Sequence, residues 1–492
     1  MAGLTYEGFS NEAPRYSQKG DRSPYRHRQD RPDCNAQLEQ AANPAGFPAI
    51  PTDIKATGLS TKFLDSLLLK SRYILGIETN VEIARHLKLS QLVADQLLNG
   101  LKQQGFLQVL GSVPGNVSIL RYGLTNAGKE MAIEASRQCE YVGPAPVSLA
   151  AFQEQVRKQS IRFERISVPA LSSGLSHIVL PQSMIKRLGP AVNSARAMLV
   201  YGPPGNGKTS ISEAIGKIFR QPIYVPHCFE VDGQGIRVFD ATVHSEVPLR
   251  RASDGADGDR TSLIRKKPDP RWIKCRRPVV IMGGELTLAM LDLEYDATSK
   301  FYEAPPQVKA LGGVFIIDDF GRQVVQPQAL LNRWIIPLER GVDYLTIHTG
   351  KKFDIPFDGL VIFSTNLSPN KLMDAALLRR VKYKLKINPP SVDDYILIFQ
   401  KVCSKHRLEL PQAVLDYLLE EYYPSTRTPL AGFHPIFFVE HAISACRYEG
   451  ISPCLTVDII KDALENLFVA DSPDQDLTGS GRSMHHTDIR AS

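Results

Sequence analysis

Apolar residues recur along this chain with two kinds of spacing, and each kind predicts a different element. From residue 58 to residue 140 they keep the i, i+3, i+4 spacing of amphipathic helices, and the same spacing returns after Lys386. Between these regions stand short, continuous apolar runs, as expected for buried parallel strands: Ala197–Val200, Val314–Ile317 and Leu360–Phe363. The pattern predicts an α/β protein with a central parallel sheet and helical regions before and after it.

The first helical region has the order helix, helix, helix, hairpin, which is typical of a winged helix-turn-helix domain at residues 58–140. Thr79 and Ser90 are placed to cap its second and third helices. The third helix exposes Gln and Asn side chains that can pair with adenine edges, but its cationic side chain is Lys102 alone, and the hairpin turn carries neither Lys nor Arg. DNA contact through residues 58–135 therefore stays open, and we favour a protein-docking or regulatory role.

Composition divides the rest of the chain. The predicted segments are a disordered tail at 1–50, a linker and edge segment at 141–190, an α/β core at 191–387 with an insertion at about 229–277, a helical lid at 388–470 and a disordered tail at 471–492. The irregular stretch 250–259 predicts a surface loop within the core.

A glycine-rich segment inside the core carries the strongest chemical signal. It fits G-x-x-x-x-G-K-[ST] in full and lies between an apolar run and a helix, which is the context that a phosphate-binding P-loop requires. Its residues are Gly202, Pro203, Pro204, Gly205, Asn206, Gly207, Lys208 and Thr209, followed by Ser210. Backbone N–H groups and the helix N-terminus favour phosphates here. Lys208 would reach the β- and γ-phosphates, and the Thr209 hydroxyl would ligate Mg²⁺. The alternative is a chance glycine-rich turn before a helix.

Polar residues end two of the predicted strands. Asp318 and Asp319 follow Val314–Ile317, where Asp318 would hold Mg²⁺ through water and Asp319 would orient the attacking water. Asn366 ends the next strand and can help to position that water. The alternatives are a solvent-facing carboxylate pair and a helix cap at Asn366.

Two adjacent arginines follow 13 and 14 residues after Asn366. Arg379 and Arg380 end a short helical segment that begins at Asp374. Either guanidinium can reach the γ-phosphate bound by a neighbouring subunit and stabilise the transferred phosphoryl group. A basic helix end that is favoured by the macrodipole is the alternative.

In this order, the P-loop, the two aspartates, the asparagine and the paired arginines resemble the AAA+ ATPases. The stretch from Gly312 to Asn366 looks closer to bacterial AAA-family ATPases that carry an N-terminal winged helix, are labelled chaperone-like and are linked to Flp pilus assembly. The resemblance implies an AAA+ core, with Asn366 as sensor 1 and Arg379 or Arg380 as the arginine finger. It also implies ATP and Mg²⁺ as cofactors, a homo-oligomeric ring and a protein client.

Three features depart from the AAA+ pattern. Asp319 stands where most members have Glu, which shortens the side chain by one methylene. Ile436 follows His-Pro where relatives usually have the sensor-2 Arg, so closure of the lid on ATP is in question. Asp318 lies 110 residues after Lys208, which requires an insertion. Within it, the basic run Arg271–Arg277 with Trp272 predicts a solvated or subunit-facing surface, with single-stranded nucleic acid as the alternative. The pair Phe301 and Tyr302 fits either a ring pore or core packing.

The composition limits the class of protein but indicates no further functional site. The 492 residues contain 43% hydrophobic and 22% charged residues, no apolar run of about 18 residues and no signal sequence at the N-terminus. Seven scattered cysteines predict reduced thiols, and no zinc site is expected. The leading interpretation is a cytoplasmic Mg²⁺-dependent ATPase that works as a ring and remodels a protein partner. The alternatives are a nucleotide-gated DNA-binding regulator and a slowly hydrolysing scaffold.

Overall fold

Short apolar runs become strands and longer amphipathic segments become helices, as their periodicity dictates. In the computed structural model, which describes residues 46–248, 268–372 and 375–468, strands β1–β16 span Leu107–Val113, Asn116–Leu124, Val147–Ser148, Met198–Tyr201, Ile223–Pro226, Cys228–Val231, Gln234–Arg237, Trp272–Cys275, Val279–Met282, Glu294–Asp296, Phe301–Glu303, Val314–Ile317, Val342–Thr346, Lys352–Pro356, Leu360–Thr365 and Tyr383–Lys386. Over the same ranges, helices α1–α17 span Thr61–Leu75, Asn80–Leu87, Gln91–Gln103, Asn126–Gln138, Leu149–Lys158, Val168–Gly174, Gln182–Asn193, Lys208–Ile218, Pro306–Lys309, Pro327–Arg340, Pro369–Leu372, Ala375–Arg380, Val392–His406, Gln412–Asp416, Tyr423–Thr426, His434–Glu449 and Val457–Leu467.

Five strands form a central parallel sheet in the order β16–β4–β15–β12–β9. Alternate residues of each strand enter different cores: Met198 and Val200 pack on one face of the sheet, whereas Leu199 packs on the other. Helices α6, α7 and α8 cover the first face, and α10 covers the second with Leu330 and Trp334. The predicted α/β class, with a parallel sheet and a helical C-terminal region, is confirmed.

This sheet brings the ends of strands that are distant in sequence to one edge. Because β4, β12 and β15 run parallel and in register, the residues that follow Tyr201, Ile317 and Thr365 lie beside one another. Ligands of open α/β sheets bind outside such carboxyl ends. The fold therefore places the P-loop, the two aspartates and Asn366 at the same edge.

A second five-stranded sheet, in the order β10–β11–β7–β6–β3, includes β6 and β7 of the predicted insertion, whereas β8 of the insertion pairs antiparallel with β5. In the basic run Arg271–Arg277 the guanidinium groups of Arg271 and Arg277 are buried, which corrects the expectation of a solvated or subunit-facing surface for these two residues, whereas Arg276 is exposed. Arg271 is 4% exposed and pairs with Asp269 at 2.8 Å, and Arg277 pairs with Glu164 at 2.8 Å. Losing one partner of such a buried pair costs about 3–5 kcal/mol.

Tyr302 also belongs to the core of this region. Its side chain is 1% exposed and its hydroxyl contacts the ring of His348, while Phe301 packs against Tyr141 and under the Arg237 guanidinium. Of the two options that the sequence leaves for Phe301 and Tyr302, core packing is the one observed.

The N-terminal region has the predicted order of elements: α1, α2, α3, then the β1–β2 hairpin. Thr79 and Glu82 form a capping box at α2, and the Ser90 side chain caps α3. Polar side chains of α3 are engaged locally, since the Asp95 carboxylate accepts hydrogen bonds from Asn80 and Gln91. The designation as a winged helix domain stays a prediction.

The predicted boundary of the first tail lies too far along the chain. Residues 46–50 pack against the start of the second described range, where Ala49 bridges Pro268 and Asp269 donates its N–H to the Pro48 carbonyl at 2.8 Å. Residues 1–45, the loop at 250–259 and the tail at 471–492 lie outside the described residues.

The C-terminal helices α13, α14, α16 and α17 pack around their own apolar core. Between α14 and α15 the chain forms a π-helical turn at Tyr417–Tyr422. Among the helices that the structure describes, none combines the length and the apolar content that a membrane crossing requires.

Candidate functional site

The P-loop connects β4 to α8, and two of its glycines are needed for steric reasons. Gly202 has φ +150°, and a Cβ there would lie 2.0 Å from the carbonyl oxygen of Ile387. Gly205 has φ +74°, and a Cβ there would lie 2.2 Å from the ring of Phe433. Glycine alone adopts these conformations with so little space beside it.

Lys208 begins α8 and points into the site. Its side chain is buried and the Nζ donates to the carbonyl of Pro203 at 2.8 Å. Burial lowers the pKa of Lys208, whereas the nearby carboxylates of Asp319 and Asp318 act to raise it. A desolvated ammonium beside two carboxylates forms a strongly polar centre.

The next residue joins the helix to the sheet. The Thr209 hydroxyl donates to Oδ2 of Asp318 at 2.7 Å, which connects the start of α8 to the carboxyl end of β12. The sequence separates these residues by 109 positions. The predicted convergence of the P-loop with the first aspartate is therefore observed.

Asp319 and Asn366 also meet. The Asn366 Nδ2 donates to Oδ1 of Asp319 at 2.9 Å, so the ends of β12 and β15 contact each other through side chains. Asp319 itself is exposed and has φ +45°, a left-handed conformation that is uncommon outside glycine. Such outliers concentrate at functional sites.

A cavity of about 640 Å³ opens over these residues. Its sheet wall consists of predicted residues: Pro204, Gly205, Asn206, Gly207, Lys208, Thr209, Ser210, Asp318, Asp319 and Asn366. The volume falls within the range of small-molecule sites.

Apart from Ile436, the opposite wall comes from residues that sequence reasoning missed. This wall consists of His177, Ile178 and Val179 before α7, Ile398, Lys401, Val402 and Lys405 on α13, and Gly432, Phe433 and Ile436 at the start of α16. The helical spacing after Lys386 predicted a helix here, but it did not show which side of that helix faces the cavity. Lys401 and Lys405 bring two cations to this wall.

Two backbone N–H groups join the C-terminal helical region to the P-loop. The Gly432 N–H donates to Oδ1 of Asn206 at 3.1 Å, and the Phe433 N–H donates to the carbonyl of Gly205 at 2.9 Å. The start of α16 thus rests on the loop that precedes Lys208.

The paired arginines lie apart from the cavity lining. Both end α12, where Arg379 is exposed and Arg380 pairs with Glu339 of α10. Gly202, Pro203, Arg379 and Arg380 are the predicted site residues that the described lining does not include. In this chain alone, neither arginine is brought to Lys208.

The strand, loop and helix, with carboxylates from the parallel strand that lies two positions along the sheet, define the class of P-loop proteins. A sequence-family profile described as "Domain of unknown function (DUF8689)" matches residues 391–466, the C-terminal helical region. The chain is 48% identical over 46 residues to a vesicle-fusing ATPase of Dictyostelium discoideum and 34% identical over 77 residues to the vesicular-fusion protein sec18 of Schizosaccharomyces pombe. These matches span 9% and 14% of this chain, but only 6% and 10% of those relatives.

Solved structures give distant matches. A RuvB mutant of Thermotoga maritima aligns with 14% identity and a TM-score of 0.34 over 60% of this chain and 72% of that chain. NtrX of Brucella abortus aligns with 12% identity and a TM-score of 0.36 over 69% and 71%. Domain III of the Thermotoga maritima replication initiation protein DnaA aligns with 13% identity and a TM-score of 0.32 over 60% and 96%. Scores of this size carry no argument about function, and none of these descriptions supports the expected link to Flp pilus assembly or to a chaperone-like role.

Proposed function

We propose that this protein is a Mg²⁺-dependent ATPase of the AAA+ type, which binds ATP in the cavity between the sheet and the C-terminal helices. The observation that carries the proposal is the 2.7 Å hydrogen bond from Thr209 to Asp318, with Lys208 close to both aspartates. These are the hydroxyl, carboxylate and ammonium that a P-loop site combines around a metal-bound triphosphate.

The donor set fits magnesium. Thr209 and Asp318 would hold the ion, because Mg²⁺ takes few protein oxygens and completes its shell with water and phosphate. Across the described ranges, no three His, Cys, Asp or Glu side chains gather as a separate metal cluster. When bound, the ion neutralises charge on the phosphates.

The residues beside that centre have distinct roles in the proposed hydrolysis. Lys208 holds the β- and γ-phosphates, Asp319 orients the attacking water, and Asn366 fixes the Asp319 carboxylate through its amide. Because Asp is shorter than the usual Glu, positioning of the attacking water depends more strongly on the orientation of Asp319 in this chain. A water-positioning group acts by geometry, and small displacements reduce the rate.

The cavity lacks a guanidinium among its described lining residues, which supports sharing of sites between subunits. We propose that the chain forms a homo-oligomeric ring in which Arg379 or Arg380 reaches the nucleotide of a neighbour. Arg379 is the better candidate, since it is exposed while Arg380 already pairs with Glu339.

The N-terminal hairpin favours a protein client over DNA. Val117 is 84% exposed and Leu110 is 48% exposed, whereas Arg121 of the same hairpin is paired with Glu78 at 2.7 Å. DNA binding depends on cations that can meet phosphates, and this surface offers few of them. We therefore propose that ATP turnover remodels a protein partner, and we do not propose a DNA-binding regulator.

Steady-state phosphate release tests the enzymatic part. Wild-type protein with ATP and Mg²⁺ is expected to turn over, and Lys208→Ala is expected to reduce the rate to background. Lys217→Ala is the matched control, because Lys217 lies on the exposed side of the same helix, paired with Glu213. Equal rates for wild type and Lys208→Ala would refute the ATPase.

Mixing of two inactive variants tests the ring. Subunits with Arg379→Ala keep an intact cavity, and subunits with Asp319→Asn keep the arginine. If sites are shared, mixtures of the Arg379→Ala and Asp319→Asn subunits regain part of the ATPase activity. Mixtures of Arg380→Ala with Asp319→Asn subunits show which of the two arginines is needed. Activity that stays absent at every mixing ratio for both arginines would contradict the shared site.

A further inference from the structure

The backbone of Asp319 has to be held in its conformation by its surroundings. At φ +45° an aspartate is in the left-handed region, which L-residues other than glycine seldom occupy. Conformations of this kind persist when neighbouring contacts over-determine them. The contacts around the Asp319 turn show which residue does so.

Gln323 makes the most extensive set of side-chain contacts to that turn. Its side chain is buried, and its Nε2 donates to the carbonyl of Asp318 at 3.0 Å, with longer contacts to the carbonyls of Gly283 at 3.3 Å and Asp319 at 3.4 Å. Its Oε1 accepts the N–H of Gly321 at 2.8 Å. Both ends of one amide are therefore engaged within the same turn.

The positions of these contacts matter. The carbonyls of Asp318 and Asp319 belong to the two peptide units on either side of the Asp319 Cα. An amide that contacts both units restrains φ and ψ of Asp319 together. The contact with Gly283 additionally ties the turn to the loop after β9, the neighbouring strand of the sheet.

We propose that Gln323 is a positioning residue for hydrolysis, which keeps the Asp319 carboxylate aimed at the attacking water. This inference rests on the proposed ATPase function. Asp319 has one methylene less than the usual Glu, so its reach depends on where the backbone directs it. Gln323 acts through Asp319 and is not assigned any contact with nucleotide or water.

Kinetics of Gln323→Ala provide the first test. We expect kcat to fall roughly 10- to 100-fold, because a displaced catalytic group loses rate steeply. The KM for ATP should change less than about twofold, since Lys208 and Thr209 keep the phosphate contacts. Gln323→Glu should also lower kcat, because a carboxylate cannot donate to the carbonyls of Asp318 and Asp319. Gln328→Ala is the matched control, as Gln328 is exposed on α10 and contacts only Asn332 among the hydrogen bonds described for it.

A double-mutant cycle separates positioning of Asp319 from general support of the turn. If Gln323 acts through the Asp319 carboxylate, Gln323→Ala causes no further loss of kcat in an Asp319→Asn background. An additive loss, an unchanged kcat in the single variant, or a rise of KM alone would overturn the proposal.

Hydrogen exchange gives a readout that needs no turnover. The Gly321 N–H should exchange faster in Gln323→Ala than in wild type, whereas Gln328→Ala should leave it unchanged. Equal protection in Gln323→Ala would refute the restraint itself. If wild type shows no Lys208-dependent turnover, the catalytic part fails with the proposed function, and exchange still decides whether Gln323 holds the turn.

Discussion

The two walls of the cavity differ in the chemical character of the side chains that form them. The sheet wall carries Lys208, Thr209, Asp318 and Asp319 at the ends of buried parallel strands, and hydrogen bonds connect these groups to one another or to the loop. The wall opposite is largely apolar and rests on the P-loop through two backbone contacts from Gly432 and Phe433.

This difference indicates a division of tasks. Charged groups that must keep fixed distances lie on the rigid sheet, where interior packing resists displacement. The wall that has to admit a ligand is held by few polar contacts and covers the site with apolar side chains. Changes at Asp319 on the sheet wall should therefore affect the rate, and changes where the helical wall contacts the P-loop should affect binding.

Asp319→Asn is expected to have the largest effect and should separate rate from binding. The amide cannot polarise water as a carboxylate does, so kcat should fall about 100-fold or more. ATP affinity should stay within about threefold, because the contacts of Lys208 and Thr209 remain. Phosphate release and equilibrium binding of ATP measure the two quantities. A large loss of affinity with unchanged kcat would reverse the assignment of tasks.

Gly205→Ala tests the contact between the walls and is expected to have an intermediate effect. The new Cβ would lie 2.2 Å from the ring of Phe433, which forces α16 away from the P-loop. We expect ATP affinity to fall about tenfold, which equals about 1.4 kcal/mol. Gly207→Ala is the control, since Gly207 has a similar φ of +76° but no atom within 4 Å of the point that a Cβ would occupy.

A second substitution, at Phe433 on the opposite wall, sharpens the test of Gly205→Ala. Combining Gly205→Ala with Phe433→Ala removes the ring that the new methyl group meets, so part of the affinity should return. Equal losses for the variants at Gly205 and Gly207, with no recovery in the double variant, would show that backbone strain rather than wall contact limits binding.

Acidification should act on the helical wall and is expected to have the smallest effect. Burial lowers the pKa of His434 to about 4, and its Nδ1 lies 2.8 Å from the Tyr423 hydroxyl in the core of the C-terminal helices. The unfolded chain binds a proton near the ordinary pKa of 6.5, so the folded state is fully favoured above that pH and loses stability as the pH falls from 6.5 towards 4.

The melting temperature at pH 7 and pH 5 measures this effect. The melting temperature of wild type should be a few degrees lower at pH 5 than at pH 7. His227 also has a pKa lowered to about 4 by burial and contributes to the total. His434→Gln should show a smaller difference between the two pH values, whereas the exposed His406→Gln should match wild type. An unchanged pH dependence in His434→Gln would exclude this histidine as a cause.

The sheet wall could be predicted from the sequence because its geometry follows from local rules. A P-loop motif fixes its own backbone, and parallel strands necessarily end at one edge, so Thr209 and Asp318 had to approach each other. The class of fold followed from the same apolar runs. The left-handed conformation of Asp319 has no signal of this kind, since Asp is common in many turns.

The helical wall could not be predicted because it depends on how distant segments pack. The helical spacing after Lys386 predicted helices in this region, but the rotation of α13 that brings Ile398 and Val402 to the cavity is set by tertiary contacts. Charge was equally ambiguous: Arg271 and Arg277 belong to a run typical of a surface, and burial with their partners Asp269 and Glu164 becomes visible only in the folded chain.

Calorimetric titration of ATP, with and without Mg²⁺, decides whether the cavity holds a metal-bound triphosphate. We expect that wild type binds ATP at micromolar concentrations with Mg²⁺, that removal of the metal weakens binding at least about tenfold, and that Lys208→Ala abolishes it. Wild type that binds no ATP, or Lys208→Ala that binds it as tightly as wild type, would contradict the placement of a triphosphate between Lys208, Thr209 and Asp318.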